Sequence, residues 1–188
     1  MIRSFIAFEL PPAARELLAN IQDGMKRSVG GIGWVKPTGI HLTLVFLGNI
    51  HEHQVVELGQ VMAKSVVGSG PLELFFSETG AFPSIRSPRV IWVGLAGQTD
   101  QISIIKKNLD ELLQPMGFDP EQRSFKPHLT LGRVKERINP ALLSKVISET
   151  VIAEKERFIV SNLVLYQSRL FPDGAQYTPL TTIALGQS

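Results

Sequence analysis

The amino-acid sequence predicts an α+β fold with two similar lobes related by a pseudo-twofold axis, in which antiparallel sheets flanked by helices surround a central cleft. The tetrapeptide His-Leu-Thr-Leu occurs twice, at 41–44 and 128–131, 87 positions apart. Each copy lies in a stretch with a similar order of helix and strand patterns. A length of 188 residues suits one domain, so residues 1–188 are expected to form a single bilobal domain.

In the first half of the chain, stretches with the periodicity of a helix alternate with stretches that have the periodicity of a strand. Leu17, Leu18, Ile21 and Met25 share one helical face, and the apolar, β-branched run at 89–95 is typical of a strand. In chain order, the patterns predict a strand, a helix, a strand, a helix and two strands, at 3–9, 12–28, 41–47, 51–67, 72–79 and 89–95.

The second half repeats this theme from its own helix onward. Pro115 and Gly117 end the first helix, and Asn139 with Pro140 begins the next. A turn at Phe171-Pro172-Asp173-Gly174 joins the last two strands. In chain order, the patterns predict a helix, a strand, a helix and two strands, at 99–114, 128–134, 140–153, 157–166 and 176–185. Each lobe would therefore contribute one His-x-Thr-x strand to the cleft.

Composition excludes several classes of protein. The chain has 44% hydrophobic and 19% charged residues, which is typical of a soluble globular protein, and it has no apolar run long enough to span a membrane. The N-terminus does not resemble a signal peptide because Glu9, Pro11 and Pro12 interrupt its apolar stretch, so we expect a cytoplasmic protein. The absence of cysteine excludes disulfides, thiol catalysis and thiolate metal sites.

The charge is only mildly basic overall. With 19 basic and 17 acidic residues, the chain lacks the basicity of a protein that coats a duplex, but it suits one that binds a single phosphate. Basic residues are concentrated near the second repeat, where one acid, Glu136, accompanies Arg123, Lys126, Arg133, Lys135 and Arg137. We interpret Lys135 and Arg137 as a solvated face.

The repeated tetrapeptide has an apolar face and a chemical face when it forms a strand. Alternation places His41 with Thr43 and His128 with Thr130, while the leucines point to the other side. Two such strands across a cleft would bring four polar groups together.

Two opposed histidines suit in-line displacement at phosphorus. That reaction needs a base on the attacking oxygen and an acid on the leaving oxygen, and an imidazole can serve as either near neutral pH. Threonine hydroxyls and an arginine can stabilise the developing charge. The sequence therefore predicts neither a metal nor a cofactor. The other two histidines, His51 and His53, lie where a helix is expected to start, and we interpret them as solvated residues whose side chains do not face each other.

Five stretches of the chain resemble a known family. They are RSFIAFELP, WVKPTGIHLTLVFLG, FPSIRSPRVIWVGL, RSFKPHLTLGRVK and LYQSRLFPDGAQYTPL. Together they are similar to the two-histidine (2H) phosphoesterases, and within them to the RNA 2′,3′-cyclic phosphodiesterases, historically called 2′-5′ RNA ligases. The resemblance implies a bilobal fold and metal-free hydrolysis of RNA 2′,3′-cyclic phosphate ends to 2′-phosphomonoesters, with 2′-5′ ligation as the reverse reaction. It also implies RNA ends as the partner, tRNA-derived ends among them, no membrane contact and a monomer.

The resemblance also implies roles for individual residues. His41 corresponds to the proton donor to the leaving 3′ oxygen, His128 to the base that activates water, and Thr43 and Thr130 to phosphate ligands. Arg133 is a further candidate phosphate ligand. It has the wrong parity to share a face with His128 in a regular strand, so it would need a bulge or strand end at Gly132.

Aromatic residues are candidates for stacking on a terminal base, namely Phe46, Phe82, Phe125 and Tyr177. Because strict alternation groups Phe46 with the motif leucines, we assign it to the core. Two alternative functions remain open. One is a phosphoesterase for a small cyclic nucleotide or an ADP-ribose cyclic phosphate, and the other is a non-catalytic protein that binds RNA ends. Two intact histidines speak against the second, because binding a phosphate needs cations and donors rather than an acid–base pair.

Overall fold

The structure, a computed structural model, describes residues 1–122, 124–152, 156–172 and 174–186. Four α-helices are found in this part of the chain, α1 (Pro12–Lys26), α2 (Gln54–Ser65), α3 (Thr99–Leu113) and α4 (Pro140–Glu149). The same residues form nine strands, β1 (Ile2–Phe8), β2 (Ile32–Trp34), β3 (Leu42–Ile50), β4 (Leu72–Ser84), β5 (Ser87–Gly97), β6 (His128–Val134), β7 (Phe158–Val160), β8 (Asn162–Phe171) and β9 (Gly174–Ala184).

The strands form two antiparallel sheets of matching order. Sheet 1 has the order β3-β1-β8-β9, and sheet 2 has the order β2-β6-β5-β4-β7. Apart from β2 at its edge, sheet 2 repeats the order of sheet 1, with β6, β5, β4 and β7 in equivalent places. The predicted α+β duplication is thus confirmed. The lobes are not the two halves of the sequence, however, because β4 from the first half joins sheet 2 and β8 from the second half joins sheet 1.

The local predictions failed at several places. The single strand predicted at 157–166 is two strands, because β7 pairs with β4 in sheet 2 and β8 pairs with β1 in sheet 1. Strand β2 was missed because three residues with a central glycine give no readable alternation. The helix predicted at 51–67 begins only at Gln54. Helix α4 ends at Glu149, before its predicted end at 153. Position 153 itself, Arg123 and Asp173 lie outside the described residues.

The leucines of both motifs and the apolar faces of the helices belong to one continuous hydrophobic core. The Asn139 side chain caps α4 by accepting hydrogen bonds from the backbone N–H groups of Ala141 and Leu142, as its position before Pro140 predicts. In the part of the chain that the structure describes, no helix has the length and apolar character needed to cross a membrane. The cytoplasmic location stays a prediction.

A buried glutamine of α1 holds two segments of the chain together at the edge of sheet 2. Gln22 has no exposed surface, and its Nε2 atom donates to the carbonyl oxygens of Val35 (2.7 Å) and Leu131 (2.8 Å). The Leu131 carbonyl also accepts from the Val35 N–H, at 2.9 Å. One side chain therefore ties the segment that precedes the first motif to the strand that carries the second.

Replacing Gln22 with leucine keeps a side chain of similar size but removes both donated hydrogen bonds. The Val35 carbonyl then loses its Gln22 donor, and we expect the free energy of unfolding to fall by about 1–3 kcal/mol. Urea denaturation measures this change. The matched control is Gln60→Leu, because Gln60 is an exposed residue of α2. Equal effects of the two substitutions would show that the Gln22 hydrogen bonds contribute nothing specific.

Candidate active site

The two motifs meet where the sheets adjoin. Strands β3 and β6 are in contact, although they belong to different sheets and are not hydrogen-bonded to each other. His41 precedes β3 directly, and His128 is the first residue of β6. The motif leucines are buried, whereas both histidines and both threonines are partly exposed. Each motif therefore has the apolar face and the chemical face that alternation predicts.

The registers of the two motif strands are equivalent. Thr43 pairs with Ala7 of β1, and Thr130 pairs with Trp92 of β5. In both strands the next residue, a leucine, is an extra residue that shifts the register. Such a β-bulge reverses the alternation of the residues beyond it. The duplication thus reproduces an irregularity as well as a motif.

The bulge in β6 brings Arg133 to the chemical face. Arg133 pairs with Val90, which lies two residues from Trp92 and so shares its face, and Thr130 pairs with Trp92. Arg133 therefore points to the same side as Thr130. The sequence allowed for a bulge at Gly132, and the structure has its extra residue one position earlier, at Leu131.

The bulge in β3 makes the core assignment of Phe46 wrong. Phe46 pairs with Phe5, which shares a face with Ala7, so Phe46 lies on the same side as Thr43. Its side chain is 72% exposed, and its ring centroid is 6.2 Å from that of Phe5. Phe46 thus occupies in sheet 1 the place that Arg133 occupies in sheet 2. Strict alternation failed here because it contains no information about the extra residue.

Each histidine makes an equivalent hydrogen bond, from its ring to the backbone carbonyl two residues before it. The Nδ1 atom of His41 lies 2.9 Å from the Gly39 carbonyl oxygen, and that of His128 lies 2.6 Å from the Lys126 carbonyl oxygen. A carbonyl can only accept, so Nδ1 carries the proton in each ring. The Nε2 atoms are therefore the ones left to exchange protons with a substrate.

The two rings have different surroundings. His41 stacks on Phe5 at 4.5 Å and meets Tyr177 edge-on at 4.8 Å. Burial lowers the pKa of His41 to about 4, although its hydrogen bond to the Gly39 carbonyl acts in the opposite direction. The imidazole is therefore neutral at neutral pH in the free protein. His128 meets Phe82 edge-on at 5.0 Å.

The Tyr177 phenol is influenced by charges from both lobes. Burial raises the pKa of its phenol, while the charges of Arg133 and Arg3 lower it. Tyr177 contacts His41, so the charge of Arg133 in the second lobe acts on a ring that packs against the histidine of the first lobe.

The basic residues near the second motif are exposed. Lys135 and Arg137 are exposed, as expected for a solvated face, and Lys126 is exposed as well.

A polar cavity of about 240 Å³ adjoins His41. Glu9 and Arg15, whose charged groups are 3.4 Å apart, line it together with Tyr166. Burial and the nearby Glu9 carboxylate raise the pKa of Tyr166 to about 12, so its hydroxyl stays protonated and can donate. Space for a ligand is thus available beside the first motif.

The other predicted residues lie elsewhere. The rings of His51 and His53 stack at 5.3 Å, so the expectation that they do not face each other is wrong, because both residues precede the first turn of α2. Both side chains are exposed, as expected. Phe125 packs against the core. Among the residues that the structure describes, no three His, Asp or Glu side chains are grouped as metal ligands.

Comparison with known proteins identifies the class. The sequence pattern of the family described as LigT-like phosphoesterases matches the chain twice, at residues 8–92 and 93–177. The chain belongs to this family of two-histidine phosphoesterases and is an enzyme. The boundary between the two matches coincides with β5, the counterpart of β1 in sheet 2.

Two similar proteins cover nearly the whole chain. The RNA 2′,3′-cyclic phosphodiesterase of Methanothermobacter thermautotrophicus is 33% identical over 184 residues, which are 98% of this chain and 99% of that protein. The protein of the same name from Aeropyrum pernix is 32% identical over 91% of this chain and 96% of its own length.

Solved structures have the same fold. The crystal structure of the Thermus thermophilus protein TT0787 superposes with a TM-score of 0.79 at 26% identity and covers 97% of each chain. The crystal structure of Escherichia coli LigT without ligand has a TM-score of 0.77 at 23% identity and covers 99% of this chain and 98% of its own.

The lowered pKa of His41 makes stability depend on pH. The unfolded chain binds a proton at His41 below its ordinary pKa of about 6.5, whereas the folded protein binds it only below about 4. Stability is therefore lost as the pH falls between these values, by at most about 3 kcal/mol. We expect His41→Gln to remove this part of the pH dependence in urea denaturation at pH 7.5 and 4.5.

The control for this measurement is His51→Gln, which removes an exposed imidazole. Carboxylates that titrate in the same range affect all three proteins alike, so the differences between them isolate His41. Identical pH dependence of His41→Gln and the wild type would mean that the ring is not shielded from water.

Proposed function

We propose that this protein, acting as one bilobal domain, hydrolyses RNA ends that carry a 2′,3′-cyclic phosphate to 2′-phosphomonoesters without a metal ion. Two relatives that match the chain over nearly its full length are named RNA 2′,3′-cyclic phosphodiesterases. The observation that carries the proposal is the equivalence of the two motif strands, each with a histidine whose Nδ1 is tied to a carbonyl. A binding protein has no need of two imidazoles held in this way.

The proposed reaction has one displacement step. Nε2 of His128 takes a proton from water as the water oxygen forms a bond to phosphorus. The bond from phosphorus to the 3′ oxygen breaks, and His41 donates a proton from its Nε2 to that oxygen. The product has a 2′-phosphate and a 3′ hydroxyl, and solvent returns the histidines to their starting states. The same steps, with a 5′ hydroxyl in the place of water as the attacking group, would give a 2′-5′ phosphodiester and so 2′-5′ ligation.

The donor role of His41 requires that it gain a proton when substrate binds. Its low pKa of about 4 belongs to the free protein, where burial dominates. A cyclic phosphate beside the ring adds a negative charge, which favours the protonated imidazole. The low pKa by itself would suit the reverse assignment, with His41 as the base, so the roles need a direct test.

The remaining polar groups of the chemical face have complementary tasks. Thr43 and Thr130 donate to the non-bridging phosphate oxygens, and Arg133 stabilises the charge that accumulates there. Phe46, on the same face as Thr43, is exposed and is placed to stack on the terminal base. The cleft would therefore hold the phosphate between the motifs and the base against sheet 1.

The primary experiment incubates the protein in excess EDTA with an oligonucleotide that ends in a 2′,3′-cyclic phosphate. We expect full turnover to the 2′-phosphate isomer, identified by chromatography against both isomers. A parallel reaction with a nucleoside 2′,3′-cyclic phosphate tests for action on small nucleotides. Activity that is lost in chelator and restored by a divalent ion would contradict the proposed mechanism, and a 3′-phosphate product would contradict the assigned leaving group.

Histidine variants test the two roles separately. His41→Ala and His128→Ala should each lower kcat by a factor of about 10² to 10⁴, and Thr43→Ala or Thr130→Ala by about 10 to 10³. His51→Ala is the control and should keep normal activity. The pH profile of the residual activity then assigns the roles. If His128 is the base, the His41→Ala protein should gain activity as the pH rises, and the His128→Ala protein should lose it. The opposite pH dependence in the two variants would mean that His41 is the base and His128 the proton donor.

A further inference from the structure

The chemical face of sheet 1 continues past the proposed phosphate site. Along β1, Ala7, Phe5 and Arg3 point to this face in turn, because alternate residues of a strand share a side. Phe46 of β3 pairs with Phe5, and Asn49 pairs with Arg3. The face therefore leads from the motif threonine to an exposed aromatic ring and then to an arginine.

Strand β8 extends the same surface on the other side of β1. Tyr166 pairs with Phe5, so Tyr166, Ser168 and Leu170 share the face with Arg3. Ser168 pairs in turn with Tyr177, the residue that contacts His41. We name the part of the face beyond Phe46 the outer track, formed by Arg3, Asn49, Ser168 and Leu170.

The outer track is open, and Arg3 is the one charged residue among the four that form it. Arg3 and Asn49 are exposed, and the Leu170 side chain is 68% exposed. Among the described residues, no carboxylate forms a salt bridge with Arg3. The charge of Arg3 nevertheless acts on Tyr177, where it lowers the phenol pKa that burial has raised. An exposed guanidinium thus lies at the edge of the cleft, next to exposed apolar side chains.

We propose that the outer track binds the nucleotide that precedes the terminal one in an RNA chain, with Arg3 contacting the phosphodiester that links the two. The inference rests on the proposed function. Ala7 and Arg3 are four residues apart, about 13 Å along the strand. One nucleoside with its base on Phe46 fits in this interval, and the long arginine side chain reaches back along it. Leu170 offers an apolar contact to the preceding base.

The test compares three substrates. They are a nucleoside 2′,3′-cyclic phosphate, a dinucleotide with the same cyclic end, and that dinucleotide with an uncharged methylphosphonate linkage. For the wild type, we expect kcat/KM of the charged dinucleotide to exceed that of the mononucleotide by on the order of tenfold, the effect of one charged hydrogen bond. The uncharged linkage should abolish this gain, and so should high salt.

Three variants locate the effect. Arg3→Gln should lose the dinucleotide gain and keep mononucleotide activity. Arg169→Gln is the matched control, since Arg169 is also exposed but lies on the opposite face of β8 from Leu170, and it should keep the gain. Phe46→Ala should lower kcat/KM for the mononucleotide and the dinucleotide by the same factor, because both substrates present the terminal base.

The proposal would be overturned if the higher kcat/KM of the dinucleotide survived in Arg3→Gln or with the methylphosphonate linkage. Failure of the proposed function has a different signature, because the wild type would then hydrolyse none of the three substrates. In that case calorimetric binding of a 2′-phosphorylated dinucleotide, charged or uncharged at its linkage, makes the same comparison without turnover. Equal affinity of wild type and Arg3→Gln for the charged form would also refute the proposal.

Discussion

The chemical surface of this enzyme depends on one local irregularity, the extra leucine that each motif strand inserts after its threonine. Without the bulges, the residues five positions after His41 and His128 would point into the core, where a charged Arg133 could not be accommodated without a partner. With them, Arg133 and Phe46 join the histidines and threonines. The Leu131 carbonyl at the bulge of β6 accepts hydrogen bonds from both Gln22 and Val35, so its conformation is fixed from outside the strand.

The duplication is faithful in backbone and unequal in chemistry. Around the motifs, both sheets repeat the register, the bulge after the threonine and the histidine hydrogen bond, yet Arg133 has Phe46 as its counterpart. The first histidine is packed among aromatic rings that lower its pKa to about 4. The motif is the same in both lobes, so the packing around the first histidine, rather than the motif, lowers its pKa.

The exchange of strands between the lobes has a functional consequence. Because β8 and β9 return to sheet 1, the C-terminal hairpin carries Tyr177 to His41, which lies near the other end of the sequence. The surroundings of the first histidine therefore need both ends of the chain. His128 likewise contacts two aromatic rings from other strands, Phe82 of β4 and Trp92 of β5. Each histidine is thus embedded in residues that its own motif does not contain.

The sequence by itself determined the fold class, most elements and the residues of both motifs, because alternation and helical periodicity act over a few residues and are readable locally. It also yielded Arg133 as a conditional candidate. Only the tertiary structure decided that 157–166 divides between two sheets, that β2 exists, and that Phe46 is exposed. These features depend on hydrogen bonds to distant strands and on the bulges those strands accommodate. The pKa of His41 likewise depends on Phe5 and Tyr177, which are remote in sequence and adjacent in space.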